Sequence, residues 1–204
     1  MIGRVGLRER KKTETRRAIA EVALELALED GPDDVTVDDI AAAANVSPRT
    51  VFNYFGSKDE AILGIDPDKR AELCAELMAR PDAETPLEAI AAVLKAMLTS
   101  SDDAGRLWRD RSRLVARYPH LRAAQAASQA AMETDLAEAV GKRIGLLDDD
   151  PYCHLVVAAC LLVSRGALAR SGSATNAALR RSLTEGFATL GRGFTPPTPG
   201  RRRG

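Results

Sequence analysis

Apolar residues recur at helical spacing along most of the chain. From Arg16 to Glu29 they fall at Ile19, Val22, Ala23, Leu26 and Ala27, one stripe of a single helix that Gly31-Pro32 brings to an end. Two much shorter apolar sets follow. Ile40 and Ala41, then Val46, Val51 and Phe55, supply a small shared core, with Phe52 assigned to the same packing and polar residues left facing outward. Oxygen-bearing caps mark three helix starts: Thr36 with Asp39, Ser47 before Pro48, and Ser57 with Glu60, the last read as a full capping box. Between the first two of these helices Ala44-Asn45-Val46 makes a tight corner, because Asn tolerates the left-handed backbone. The layout predicts a helix-turn-helix.

A fourth helix is predicted from Ser57 toward Gly64. The domain boundary falls before Pro67, giving a first domain over residues 1–65 and a second over 66–192. Punctuation predicts further helices over 68–79, 85–99 (opened by the capping box Thr85-Pro86-Leu87-Glu88), 104–118, 119–144, 150–172 and 175–190. Strand-like alternation is almost absent, so the fold class is all-α. The Pro- and Arg-rich tail over 193–204 has no means of burying apolar surface and is predicted to be disordered.

Composition adds three points. No apolar run is expected to reach the roughly 20 residues of a membrane span, and the charged N-terminus lacks a signal peptide's apolar stretch, which predicts a cytoplasmic protein. Cys74, Cys153 and Cys160 have no zinc-type spacing and read as free, buried thiols. The formal net charge is zero, yet between Arg4 and Arg17 seven basic residues face only Glu9 and Glu14. Such a basic N-terminal arm beside a helix-turn-helix is a local patch of the kind that neutralises phosphates.

The window from Val35 to Leu63 resembles the DNA-binding motif of the TetR family of bacterial transcriptional repressors. The shared features are the Thr36–Ala43 helix, Val46-Ser47, Thr50, the aromatics Phe52, Tyr54 and Phe55, and Ser57-Lys58-Asp59-Glu60. Asn45 stands where the family usually has glycine, and both residues hold a left-handed turn. The second helix of such a motif lies in the major groove. Candidate DNA contacts are therefore Thr36, Ser47, Arg49, Thr50, Asn53, Tyr54 and Lys58. Arg49 has the geometry to donate two hydrogen bonds to guanine, and Thr50 reaches a base or a phosphate. The resemblance implies that Thr36, Tyr54 and Lys58 approach the DNA backbone and that Asn53 lies near the bases. One motif reads few base pairs, so a homodimer on a palindromic operator is expected. By resemblance, the last two helices form its interface.

From Trp108 to Phe194 the chain is similar to the C-terminal domain of TetR-type regulators that bind acyl-CoA-like ligands, the mycofactocin regulators among them. The pattern is Trp108-Arg109-Asp110-Arg111, Leu114, Pro119 and Leu121-Arg122-Ala123. At about 100° per residue Leu107, Trp108, Leu114, Val115 and Tyr118 share one helix face with Arg111 in its middle. A cation there needs an anion. Either Arg111 pairs internally with a carboxylate such as Glu133 or Asp135, or, with Trp108, Leu114, Val115 and Arg165, it lines a pocket for an effector with an acyl chain and an anionic head. His120 reads as a surface or cap residue, and His154 beside Cys153 lacks a third metal ligand. No cofactor motif and no acid-base or nucleophile cluster speaks for an enzyme. The expected function is a ligand-responsive transcriptional repressor; an activator, a regulator of an unrelated drug or metabolite, and a DNA-bending architectural protein are the alternatives.

Overall fold

The computed structural model describes residues 7–100, 103–146, 150–171 and 175–193. These form ten helices: α1 (Leu7–Glu29), α2 (Val37–Ala43), α3 (Pro48–Tyr54), α4 (Lys58–Leu63), α5 (Pro67–Met78), α6 (Pro86–Leu98), α7 (Ala104–Arg117), α8 (Pro119–Ile144), α9 (Pro151–Ser171) and α10 (Asn176–Gly191). No strand occurs among the described residues, and the all-α expectation holds. Proline stands at the start of α3 and α6, where its missing N–H costs nothing and its fixed φ suits a helix. Disorder predicted for the tail concerns residues beyond 193, outside the described ones.

The chain forms two compact units, Met1–Arg70 with Leu107–Met132, and Ala71–Arg106 with Glu133–Gly204. The first therefore takes in residues 107–132 besides the four N-terminal helices. Its core joins Ile19, Ala23 and Leu24 of α1, Ile40 of α2, Val51 of α3 and Ala61 and Ile62 of α4 with Leu114 and Val115 of α7 and Leu121 of α8. In the second unit α9 packs against α10 and α6. There Gly186 leaves no room for a β-carbon beside Val163, so the two helices approach closely. Arg143 donates to the carbonyls of Arg80 and Pro81 and ties α8 to the turn before α6.

Four sequence expectations need correction. The helix predicted from Arg16 begins at Leu7, so the basic segment from Lys11 onward is helix rather than arm; Arg4 lies outside the described residues. Its charged residues are good helix formers, and Lys12 is anchored to Asp68 at 2.7 Å. The full capping boxes are at Thr36/Asp39 and Thr85/Glu88. At α4 the Ser57 hydroxyl accepts from the Glu60 N–H, but the Glu60 carboxylate accepts from the N–H of Gly56, one residue further back. Phe52, assigned to the core, is 58% exposed, whereas Phe55 is buried as expected. Finally, α9 is long and apolar enough, by length and composition, to cross a membrane; Cys153, Val157, Cys160 and Ala167 nevertheless form a fully buried stripe on it. One face of α9 is thus packed into its unit, while Leu155 and Leu162 on another face are exposed.

Candidate functional site

Asn45 adopts φ 53°, the left-handed corner expected between α2 and α3. From that corner α3 turns Val51 into the core and leaves Pro48, Arg49, Phe52 and Asn53 in solvent. Arg49 and Asn53 make no hydrogen bond or ion pair with any described residue, so both side chains are free to meet a ligand. The hydroxyls of Thr36 and Ser47 cap α2 and α3, and Ser47 Oγ lies 2.8 Å from the Thr50 hydroxyl. These three groups are exposed or half-buried at helix starts, with their first hydrogen bonds already made. Tyr54, half-buried, closes the far end of the helix.

What holds α3 from behind is Arg16, one of the seven basic residues between Arg4 and Arg17. Its side chain is 11% exposed. One nitrogen donates to the Tyr54 carbonyl at 2.8 Å and another to Asp68 at 3.1 Å, with Asp66 3.4 Å from Nε. The guanidinium also lies over the Tyr54 and Phe55 rings, 5.7 and 5.3 Å from their centroids, a cation-π arrangement. Hydrogen bonding from Lys12, helped by the charge of Arg16, lowers the Asp68 pKa. A visible clue existed: Arg16 lies on the stripe Ile19, Ala20, Ala23 at helical spacing, and a lone cation on an apolar face calls for partners.

Lys58 is not free for phosphate as expected. Its ammonium donates to the carbonyls of Pro32 at 2.8 Å, Val35 at 2.9 Å and Asp33 at 3.3 Å, which uses its three protons on the segment between α1 and α2. His120, expected at the surface, is half-buried between Asp33 and Asp59, each 3.8 Å from a ring nitrogen.

The expected ligand residues divide. Leu114 and Val115 are 6% and 9% exposed and belong to the core of the first unit. Arg111 is half-buried in the same unit, where Nε donates to the Ile62 carbonyl at 3.3 Å. Its guanidinium occupies the space that a β-carbon on Gly64 would need, and Gly64 has φ 62°. Arg111 thus closes the C-terminal end of α4, where carbonyls lack helical donors and the helix dipole is negative. Burial lowers its pKa, partly offset by the Glu21 carboxylate. Trp108 is half-buried in the first unit, and Arg165 is exposed on α9 in the second. A cleft of about 390 Å³ between the end of α1 and α7 is lined by Glu29, Asp30, Arg113, Arg117 and Tyr118. Of the expected ligand residues it includes only Leu114. Cys153 and Cys160 are fully buried, and burial pushes the Cys160 thiol up to about 12. Among the described residues no His, Cys, Asp and Glu side chains assemble into a metal site.

A helix-turn-helix with a free arginine and asparagine on its second helix narrows the possibilities, and comparison with known proteins decides among them. Residues 19–63 match the bacterial regulatory proteins of the tetR family, and residues 84–195 match the MftR C-terminal domain. The chain belongs to the TetR family of transcriptional regulators. Within that family it is 39% identical over 168 residues to the HTH-type transcriptional regulator TcmR of Streptomyces glaucescens, covering 78% of this chain and 74% of that protein. It is 30% identical over 186 residues to the mycofactocin biosynthesis transcriptional regulator MftR of Mycobacterium tuberculosis, covering 91% and 93%. Among solved TetR-family structures, a regulator from Syntrophomonas wolfei superposes with a TM-score of 0.58 at 18% identity, over 91% of this chain and 99% of that one. FadR of Thermus thermophilus, a repressor in complex with lauroyl-CoA, superposes with a TM-score of 0.51 at 20% identity, over 93% and 100%. These superpositions establish the shared TetR-family fold.

Proposed function

We infer that the chain is a ligand-responsive repressor. It binds a palindromic operator in the cytoplasm as a homodimer, with one α3 in each of two successive major grooves, and leaves the DNA when a small hydrophobic or acyl-CoA-like effector binds. The observation that carries this reading is the exposed face of α3, where Arg49 and Asn53 have no side-chain partner among the described residues and are of the types that make bidentate contacts to guanine and adenine. The homodimer is supported by Leu155 and Leu162 on one side of α9, 70% and 63% exposed, an apolar face that a second copy would bury. The acyl-CoA-like effector is carried over from FadR, which shares the fold and holds lauroyl-CoA.

Selection of bound sequences from a random duplex pool by the purified protein tests the first part. An enriched palindrome with half-sites about one DNA turn apart is the expected result. A folded dimer that enriches nothing refutes it. Titration of lauroyl-CoA against the fluorescence of Trp108, the single tryptophan, tests the second. Saturable quenching together with release of the enriched DNA is expected, and neither response up to millimolar ligand removes that effector class.

A further inference from the structure

Phe52 carries an inference beyond the general reading of α3. Exposure along this helix follows angle. With Arg49 at zero and about 100° per residue, Phe52 lies at about −60° and Asn53 at about +40°, while the buried Val51 lies about 160° away on the opposite side. The phenyl ring, 58% exposed, therefore shares the outward face with a free cation and a free carboxamide. It is not a frayed core residue, because the core position is taken by Phe55, which is 2% exposed.

A face that combines guanidinium, carboxamide and one aromatic ring matches the floor of the major groove. Guanine offers two acceptors to the arginine, adenine an acceptor and a donor to the asparagine, and the apolar feature the groove presents is the 5-methyl of thymine. Phosphates and sugars have nothing for a phenyl ring without a hydroxyl to hydrogen-bond. We propose that Phe52 reads a thymine through its 5-methyl group in each operator half-site, which makes it a specificity-determining residue beside Arg49. This rests on the reading of α3 as the groove-bound helix, and the test separates the two.

The full-length protein is first used to select its operator. Each dT of that operator is then replaced by dU, which removes one methyl and leaves base pairing intact, and binding is measured for the natural protein and for F52A. Burying one methyl is worth about fourfold in affinity. Wild type is expected to lose about fourfold for dU at one position in one half-site and about fifteenfold with both half-sites changed, while F52A binds dT and dU operators within twofold of each other. Because the ring is exposed, F52A is expected to unfold at the same temperature as wild type. An operator that shows no dU effect at any position, a dU penalty that persists in F52A, or an enriched half-site without an A·T pair overturns the thymine assignment and leaves groove binding by α3 intact. A protein that selects no sequence overturns both.

Discussion

Replacing Lys58 by methionine keeps the aliphatic stem and removes the ammonium, so it isolates the three hydrogen bonds to the carbonyls of Pro32, Asp33 and Val35. A hydrogen bond from a charged donor contributes about 1.5–3 kcal/mol. The bonds to Pro32 and Val35 are part-buried and shorter than 3 Å, and that to Asp33 is exposed at 3.3 Å. Water replaces the exposed one at little cost, and the ammonium recovers hydration in the unfolded chain, so the expected net loss is about 2–3 kcal/mol. For a chain of this length about 1 kcal/mol moves the melting temperature by about 2–4 °C, so Lys58→Met lowers it by about 4–12 °C. The second readout is the salt dependence of operator binding. A side chain occupied by carbonyls contributes no phosphate contact, and the slope of log affinity against log salt stays unchanged. An unchanged melting temperature with a slope shallower by about one unit would return Lys58 to the phosphate backbone and refute the argument.

Further substitutions test the other joints. Gly64→Ala forces a β-carbon into the left-handed region and onto the Arg111 guanidinium, so it should cost at least about 2 kcal/mol in urea unfolding; the cost should shrink in an Arg111→Ala background, and equal costs in both would deny the contact. Arg16→Met removes the donor to the Tyr54 carbonyl and to Asp68 and should destabilise by about 1.5–3 kcal/mol; full stability would show that the cluster merely coats the surface. Arg49→Ala should relax base preference at one operator position by about 1–3 kcal/mol, whereas equal losses on every sequence would remove it from the specificity role. The Cys160 thiol has a folded pKa raised to about 12 against 9.0 unperturbed, so its contribution to stability is complete below pH 9 and is lost as pH rises toward 12. Alkylation followed by mass spectrometry at pH 8 should leave Cys153 and Cys160 unmodified until urea is added; native-state modification as fast as in urea contradicts their burial.

Helix existence was legible almost throughout, because caps and prolines punctuate this chain. Thr85-Pro86, Pro119 and Pro151 each stand where a helix begins, and Asn45 marks the corner between α2 and α3. What was not legible depends on contacts distant in sequence. The carbonyls that Lys58 meets lie 23 to 26 residues earlier, and no local pattern announces them. Arg111 needs a negative partner, and the C-terminal end of α4 together with the Glu21 carboxylate supplies it, which periodicity does not reveal. Phe52 is a different case. Aromatic identity suggested core, although its angle between Pro48 and Arg49, on the side away from Val51, already pointed outward.

Arg16, Lys58 and Arg111 solve one problem three times. The Tyr54 carbonyl ends α3, the Ile62 carbonyl lies in the last turn of α4, and the Pro32–Val35 carbonyls belong to the connection between α1 and α2. Carbonyls in such places lack helical donors, so a buried or half-buried cation satisfies them and is itself satisfied. Each contact also fastens α3, or its neighbours, without involving the exposed Arg49, Phe52 and Asn53, so rigidity costs the outward face nothing. That arrangement constrains how an effector would act on the proposed dimer. Effector coupling is typically about 1–3 kcal/mol, while breaking any one of these fasteners costs about as much or more. Deforming α3 within its unit would consume the whole coupling energy. Changing the separation of two intact reading units requires none of these bonds to break, and it is the response this construction favours.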